Sequence, residues 1–336
     1  MSSQQELSQY IGLRINDLNN NYKINCMNRV QYYNNVINSL MRSKIINKTQ
    51  QYNILVSNYK TDINNLTKKL NGDIAFIKSY KPAQIKMEKS KKALLIGINY
   101  TGTENQLDGC INDVDSIVER ISKNGFNTIN KLTDVTLKKP SRENILNECK
   151  NLLVNSQSGD LLLLFYSGHG SYILDKNRDE VDGYDEMIVS SDLQGITDDE
   201  LKSLIQTYLK KDVTLVAIFD SCFSGSVLDL KYQYLDSLNY DKYTENAKNN
   251  DTLGNVFMIS GCTDEQTSAD ANINNKFNGA MTWSLLETLK TKNNNNNISW
   301  RDLLKGMRDL LKTSQFSQIP QLSSGCFIDI DSKVFI

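Results

Sequence analysis

The sequence predicts an α/β protein, a three-layer sandwich in which a mostly parallel central sheet is covered by helices on both faces. The first indication is a set of continuous apolar strands: 91–99, 160–170, 212–225 and 255–262. The second is that segments with apolar residues at helical spacing separate these strands. A strand without a polar face is buried on both sides, which is typical of parallel sheets covered by helices.

The elements alternate from residue 91 to the end of the sequence. The predicted strands are 91–99, 129–132, 160–170, 212–225, 255–262 and 326–330, and the predicted helices are 110–124, a segment that begins after Ser141, 196–211, 279–291 and 299–313. Ser141 has the residue type and the position of a helix N-cap. Thr197 and Glu200 have the spacing of a capping box, which predicts where the helix over 196–211 begins.

The first 89 residues differ in composition from the rest. They are rich in Asn, Gln, Tyr and Lys, and apolar residues recur at helical spacing in two stretches. This pattern predicts a helical hairpin over 24–46 and 50–71. The change in composition near residue 90 predicts an N-terminal helical region, 1–89, followed by an α/β domain, 90–336.

Composition and charge exclude several classes of protein. The formal net charge is −1, so no overall field attracts nucleic acid or an anionic membrane. No apolar run reaches the roughly 20 residues that span a bilayer, and the sequence does not begin as a signal peptide does. The six cysteines are widely and irregularly spaced: Cys26, Cys110, Cys149, Cys222, Cys262 and Cys326. We therefore expect free thiols in a cytoplasmic protein without nucleic-acid or membrane partners.

Two of the apolar strands run into turns that carry reactive side chains. One turn contains His169, the only histidine, and the other contains Cys222. An imidazole can take the proton of a neighbouring thiol at neutral pH, so the pair predicts Cys222 as a nucleophile and His169 as its general base. The backbone N–H groups of Gly170 and Cys222 are the candidate oxyanion donors. With one histidine and no CxxC pair, a zinc site is not expected.

Strand alternation indicates the charge of the substrate. Residues two apart face the same side of a strand, so Asp220 faces the side of Cys222 and Ser167 that of His169. A buried carboxylate beside a thiolate opposes its formation unless a cation is present. This arrangement predicts a substrate with a basic side chain next to the scissile bond.

Eight segments of the sequence together resemble a type I metacaspase, a caspase-like cysteine peptidase: KKALLIGINY, LDGCINDVDS, DLLLLFYSGHG, DEVDGYDEMIVSSD, ITDDEL, AIFDSCFSGSVLDL, ISGCTDEQTSADA and SQIPQLSSGCFIDI. The likeness covers about 91–336 and implies a caspase-like fold with a large-subunit-like part, 90–230, a connection, 231–253, and a small-subunit-like part, 254–336. Residues 1–89 lie where type I members carry a prodomain, often rich in Pro and Gln, but they lack that composition and their role is open. The absence of a long insertion between Cys222 and Asn255 favours type I over type II.

The resemblance also implies specificity and activation. It implies cleavage after Arg or Lys, in a P1 pocket formed by Cys110, Asp113, Ser167 and Asp220. It implies calcium as an activator, held by the carboxylates of Asp185, Asp198, Asp199 and Asp229. The residue after the nucleophile, often histidine in the family, is Phe223 here. Activity is expected to survive this difference because His169 remains.

The resulting hypothesis is a monomeric, calcium-stimulated endopeptidase that acts on proteins or peptides. Self-cleavage is expected in the polar connection, with Lys231, Lys242 and Lys248 as candidates, or near 81–92. Two alternatives remain open at this point. One is a non-catalytic scaffold or aggregate-handling protein that associates through its helical N-terminal region. The other is a paracaspase-like peptidase or a transpeptidase on the same fold.

Overall fold

The computed structural model describes residues 3–42, 47–79, 90–174, 184–222, 227–234, 243–246, 252–261, 270–273, 276–291 and 298–336. The expectations for Phe223, Cys262, Lys242 and Lys248 and for residues 81–89 lie outside these residues. The chain divides into two compact units, Met1–Gln84 and Ile85–Ile336.

The first unit contains two long helices, α1 (Ser3–Arg42) and α2 (Lys48–Ser79), that pack against each other. Tyr33 is buried between them, and its hydroxyl donates a hydrogen bond of 3.0 Å to Asp62. The predicted start of the first helix at residue 24 is wrong, because α1 begins at Ser3. The contact between the two helices also extends to residues before 24, since the hydroxyls of Tyr22 and Thr67 lie 3.0 Å apart.

The second unit alternates strands and helices. Its helices are α3 (Cys110–Ser122), α4 (Arg142–Val154), α5 (Asp198–Tyr208), α6 (Ala280–Thr291) and α7 (Trp300–Thr313). Its strands are β1 (Lys91–Gly97), β2 (Thr128–Thr133), β3 (Leu161–Ser167), β4 (Gly170–Leu174), β5 (Tyr184–Val189), β6 (Gly195–Thr197), β7 (Thr214–Asp220), β8 (Tyr232–Tyr234), β9 (Thr244–Glu245), β10 (Asn255–Ser260), β11 (Asp270–Ile273), β12 (Lys276–Gly279) and β13 (Gln321–Ser324). The predicted N-cap at Ser141 and the capping box of Thr197 and Glu200 are both present.

Eight strands form the central sheet in the order β2-β1-β3-β7-β10-β13-β8-β9. The five strands from β2 to β10 are parallel, and the remaining three pair in antiparallel fashion. Helices lie on both faces, so the predicted α/β sandwich with a mostly parallel sheet is confirmed.

Alternating side chains of the sheet pack into two separate cores. On one face, Ala93 and Leu95 of β1 join buried residues of α3, α6 and α7. On the other face, Leu94 and Ile96 join buried residues of α4 and α5. The apolar character of both sides of β1 follows directly from this arrangement.

The predicted final strand over 326–330 is wrong. The last strand of the sheet is β13, Gln321–Ser324, and the segment that follows it is irregular. Ile328 and Ile330 are buried in the core, so their alternation reflects packing and not ladder pairing. The polar sequence of β13 concealed a strand that is fully buried.

Two small sheets were not predicted. β4, β5 and β6 form an antiparallel sheet that begins directly after His169, and β11 pairs with β12. The predicted strand over 160–170 is therefore two strands, β3 and β4, with His169 between them. Among the described residues, no helix has the length and apolar character needed to cross a membrane.

Candidate active site

The turns that carry His169 and Cys222 are in direct contact. β3 and β7 are parallel neighbours with Ser167 opposite Asp220, so both turns leave the same edge of the sheet. A Cβ atom at Gly170 would lie 1.9 Å from the carbonyl oxygen of Cys222. Only glycine permits this approach. Adjacent strand ends thus bring the single histidine beside the cysteine, as the sequence pattern requires.

The imidazole of His169 is held by the main chain. Its Nε2 atom lies 2.7 Å from the carbonyl oxygen of Asn105. A carbonyl oxygen can only accept, so Nε2 carries the hydrogen and the neutral ring keeps the lone pair on Nδ1. The side chains of His169 and Cys222 are both half-buried.

The acidic pair of the predicted P1 pocket is buried and close to these turns. Asp113, on the first turn of α3, is 0% exposed, and Asp220, at the end of β7, is 4% exposed. The hydroxyl of Ser167 donates to Asp113 over 2.8 Å. Cys110 is buried one turn before Asp113 on the same face of α3. The four predicted pocket residues therefore lie on three neighbouring elements, α3, β3 and β7.

Residues from the end of β12 and the start of α6 bind both carboxylates. The backbone N–H of Gly279 donates to the two oxygens of Asp113, over 3.1 and 3.0 Å. The backbone N–H and the hydroxyl of Thr282 donate to Oδ2 of Asp220, over 2.8 and 2.7 Å. A Cβ atom at Gly279 would meet a carboxylate oxygen of each aspartate. Hydrogen bonds of this kind, at a helix N-terminus, stabilise the ionised form of a carboxylate.

A second acidic cluster lies at the start of β5 and the start of α5. Ligand oxygens of Asp185, Asp198 and Asp199 all lie within 4.8 Å of one another. Asp198 is buried and accepts hydrogen bonds from the backbone N–H groups of Asp199 and Glu186. Burial and then the neighbouring charge of Asp229 raise the pKa of Asp198 to about 7.

The fourth predicted calcium ligand, Asp229, forms an ion pair. Its Oδ2 atom lies 3.0 Å from Nζ of Lys202, and the two side chains are 3% and 16% exposed. Asp229 is not part of the three-carboxylate group, although its charge acts on Asp198. Lys202 is thus a half-buried cation paired with an acid whose charge acts on this cluster.

Comparisons with known proteins show the family to which the chain belongs. A family model described as metacaspase, peptidase C14 domain, matches residues 91–231. Metacaspase-3 of Trypanosoma brucei brucei is 38% identical over 264 residues, which cover 71% of this chain and 72% of that protein. The chain belongs to the metacaspase family. Membership of this family indicates a cysteine peptidase, with proteins as substrates.

A further relative and a solved structure are similar to this metacaspase. Metacaspase-1A of Neurospora crassa is 35% identical over 294 residues, which cover 72% of the chain and 64% of that protein's own length. A protein of Geobacter sulfurreducens with a known crystal structure matches with a TM-score of 0.55 and 25% identity, covering 73% of this chain and 98% of that one. The match to this structure agrees with the α/β sandwich described above.

Several contacts in the site of this metacaspase were not predicted. They involve the carbonyl of Asn105, the donors Gly279 and Thr282, and two tyrosines, Tyr100 and Tyr166, near His169. The main-chain donors have no sequence signal. The position of Tyr100 directly after a buried strand was the one available indication for the tyrosines.

Proposed function

We propose that this metacaspase is a calcium-stimulated cysteine endopeptidase that cleaves after Arg or Lys, with Cys222 as nucleophile and His169 as general base. The contact between the His169 turn and the Cys222 turn is the observation that carries the proposal. A thiol and an imidazole on touching turns, with buried carboxylates nearby, form a site for attack on a peptide bond next to a basic side chain.

The proton route follows from the hydrogen bond of His169. Since Nε2 donates to Asn105, Nδ1 is the atom that takes the proton of Cys222. The thiolate then attacks the substrate carbonyl carbon, and the imidazolium returns its proton to the leaving amine. Water hydrolyses the resulting thioester and regenerates the thiol.

The ladder of β4 and β5 supports Gly170 as an oxyanion donor. Val189 donates to the carbonyl of His169 over 3.0 Å, so the pair of Gly170 with Ile188 is the non-hydrogen-bonded pair of the ladder. The N–H of Gly170 therefore points away from β5. With the N–H of Cys222, it is the proposed donor to the oxyanion, and removal of one such donor costs about 3–4 kcal/mol in the transition state.

The charge and burial of the pocket support a basic P1 residue. Asp113 and Asp220 lie on either side of Gly279 and are buried in a region where like charges repel. A guanidinium or ammonium group would relieve that repulsion and replace it with charge-assisted hydrogen bonds. An acidic P1 side chain would add a third negative charge.

The acidic cluster supports calcium as the activator. Asp185, Asp198 and Asp199 supply oxygen ligands at separations that fit one hard cation. Burial first, and then the charges of Asp229 and Asp185, raise the pKa of Asp198, so a bound cation would favour its ionised form. When bound, calcium supplies the positive charge that these carboxylates lack. Without calcium, the ammonium of Lys202 balances the charge of Asp229, the acid whose charge acts on Asp198.

Self-processing in the connection is part of the proposal. Lys231 is held at its carbonyl by the N–H of Asn246, over 2.8 Å, and its Nζ lies 3.6 Å from Glu245. These contacts make cleavage after Lys231 less favourable than cleavage at a site free of them. Lys242, Lys248 and the region near 81–92 remain the other candidates. A monomeric state and a cytoplasmic location stay predictions.

Purified protein tests the proposal with fluorogenic peptides that end in Arg, Lys or Asp at P1, each with calcium or with a chelator. We expect cleavage after Arg and Lys, higher rates with calcium, and no cleavage after Asp. Cys222→Ala and His169→Ala should each abolish activity. Cys26→Ala, a half-buried cysteine of the N-terminal unit, is the matched control and should retain it.

The alternatives give different results. Full activity in Cys222→Ala, or cleavage after Asp alone, would contradict the proposal. Peptide ligation products would favour a transpeptidase. A well-folded protein that cleaves no peptide, with a cellular role that survives Cys222→Ala, would favour the non-catalytic scaffold.

A further inference from the structure

The main chain of His169 is bound by two buried tyrosine hydroxyls. The backbone N–H of His169 donates to Oη of Tyr100 over 3.0 Å, and Oη of Tyr166 donates to the carbonyl of His169 over 2.6 Å. The backbone N–H and the backbone carbonyl of His169 are therefore both bound by side chains, one from the loop after β1 and one from the central sheet. Tyr166 lies on β3, directly below the turn, and Tyr100 follows β1.

The same hydroxyls bind Val189, the last residue of β5. Oη of Tyr100 donates to the carbonyl of Val189 over 2.6 Å, and the N–H of Val189 lies 3.2 Å from Oη of Tyr166. The two hydroxyls are 3.1 Å apart. Oη of Tyr166 also lies 2.9 Å from the carbonyl of Val189. Each hydroxyl has one hydrogen, and all groups are paired when Tyr100 donates to Val189 and Tyr166 donates to His169.

Tyr100 takes the place of a normal ladder bond. The N–H of Val189 donates to the carbonyl of His169, but the N–H of His169 meets the hydroxyl of Tyr100 instead of the carbonyl of Val189. The phenol thus bridges the two groups that would otherwise bond directly. Tyr100 therefore replaces one of the two ladder bonds between His169 and Val189, while the other keeps an ordinary length of 3.0 Å.

The ring of Tyr100 also contacts the imidazole. The two ring centroids are 4.6 Å apart, with an angle of 38° between the planes. Tyr100 and Tyr166 are 2% and 0% exposed, and desolvation raises the pKa of each phenol, so both remain neutral hydrogen-bond donors at working pH. A phenylalanine at either position would keep the packing and lose only the hydroxyl.

We propose that Tyr100 and Tyr166 are positioning residues that hold the His169 main chain so that its imidazole meets the thiol of Cys222. The inference rests on the proposed role of His169 as general base. Both tyrosines are buried, so we assign their hydroxyls no contact with the substrate. Their effect is on the geometry of proton transfer, for which a displacement of about 1 Å can cost about 100-fold in rate.

The variants Tyr100→Phe, Tyr166→Phe and the double variant test the proposal. The matched control is Tyr208→Phe, a half-buried tyrosine at the end of α5 whose ring contacts Lys150. Melting temperature and circular dichroism identify variants that fold as the wild type does. For these, we expect kcat to fall about 10- to 100-fold with KM within about twofold, while the control keeps both values.

A second measurement separates positioning from peptidase activity. The rate of Cys222 alkylation by iodoacetamide, followed by mass spectrometry from pH 5 to 9, reports how well His169 stabilises the thiolate. We expect the rate below pH 7 to fall in the tyrosine variants and in His169→Ala, and to stay unchanged in the control.

The outcomes distinguish failure of this inference from failure of the proposed function. Unchanged kcat and an unchanged alkylation profile in folded tyrosine variants would overturn the positioning role. A 10- to 100-fold rise in KM with unchanged kcat would also contradict it. If His169→Ala leaves the alkylation profile unchanged, the dyad itself is wrong. If the profile depends on the tyrosines but no peptide is cleaved, positioning holds and the proposed substrate does not.

Discussion

Lys202 provides a quantitative test of the acidic cluster. Its ammonium pairs with Asp229 at 3.0 Å, and both side chains are largely buried. Lys202→Met keeps an unbranched side chain of nearly the same length and removes the charge, leaving Asp229 buried without this partner. Breaking a buried ion pair in this way costs about 3–5 kcal/mol, and the partial exposure of Lys202 places the expected loss near the lower value. Without calcium, Lys202→Met should therefore unfold at a lower urea concentration than the wild type.

The same change should strengthen calcium binding. In the wild type, an ion that uses Asp229 must compete with the ammonium of Lys202, whereas in Lys202→Met it replaces a missing charge. We expect at least about tenfold tighter binding, or about 1.4 kcal/mol. Calorimetric titration and urea unfolding with and without calcium measure both effects. Lys123→Met removes one partner of the exposed pair with Glu119 and should change neither quantity. Equal or weaker calcium binding by Lys202→Met would refute the competition.

Three further predictions concern the two acidic sites. Gly279→Ala places a Cβ atom 2.1 Å from Oδ2 of Asp220, so cleavage after Arg should fall at least about 100-fold while Cys222 is still alkylated. Thr282→Val removes a hydroxyl donor to Asp220 and should raise KM for a P1-Arg peptide about tenfold. Thr282→Ser keeps the hydroxyl and should have the KM of the wild type. An unchanged KM in Thr282→Val would contradict this role of the hydroxyl. The pKa of Asp198 is about 7 in the folded protein against an ordinary value of 3.8, so the folded state binds this proton more tightly than the unfolded state. The free energy of unfolding without calcium should therefore fall as pH rises from about 4 to 7. Calcium must displace the same proton, so calorimetric titration should give a lower calcium affinity at pH 6 than at pH 8.

The parallel core and the reactive pair could be predicted from the sequence because their signals are local. Each buried strand is continuous in the chain, and the carboxyl ends of neighbouring parallel strands meet at one edge of a sheet. The position of His169 and Cys222 on touching turns follows once β3 and β7 are neighbours. The three acids of the acidic cluster were predicted only from the family resemblance, since nothing local distinguishes Asp198 from an ordinary acid at a helix start.

The strand β5 shows why the rest of the site could not be predicted. It is short and partly exposed, and no continuous apolar run marks it. Yet Asp185 lies near its start, in the acidic cluster, and Val189 ends it, bound to the tyrosines that hold His169. Because a strand rises only about 3.3 Å per residue, these two residues are separated by less than the length of one short strand. Because β5 was not predicted, two features of the site were missed: the hydrogen bonds of Val189 beside His169, and the single strand that joins Val189 to Asp185 of the acidic cluster.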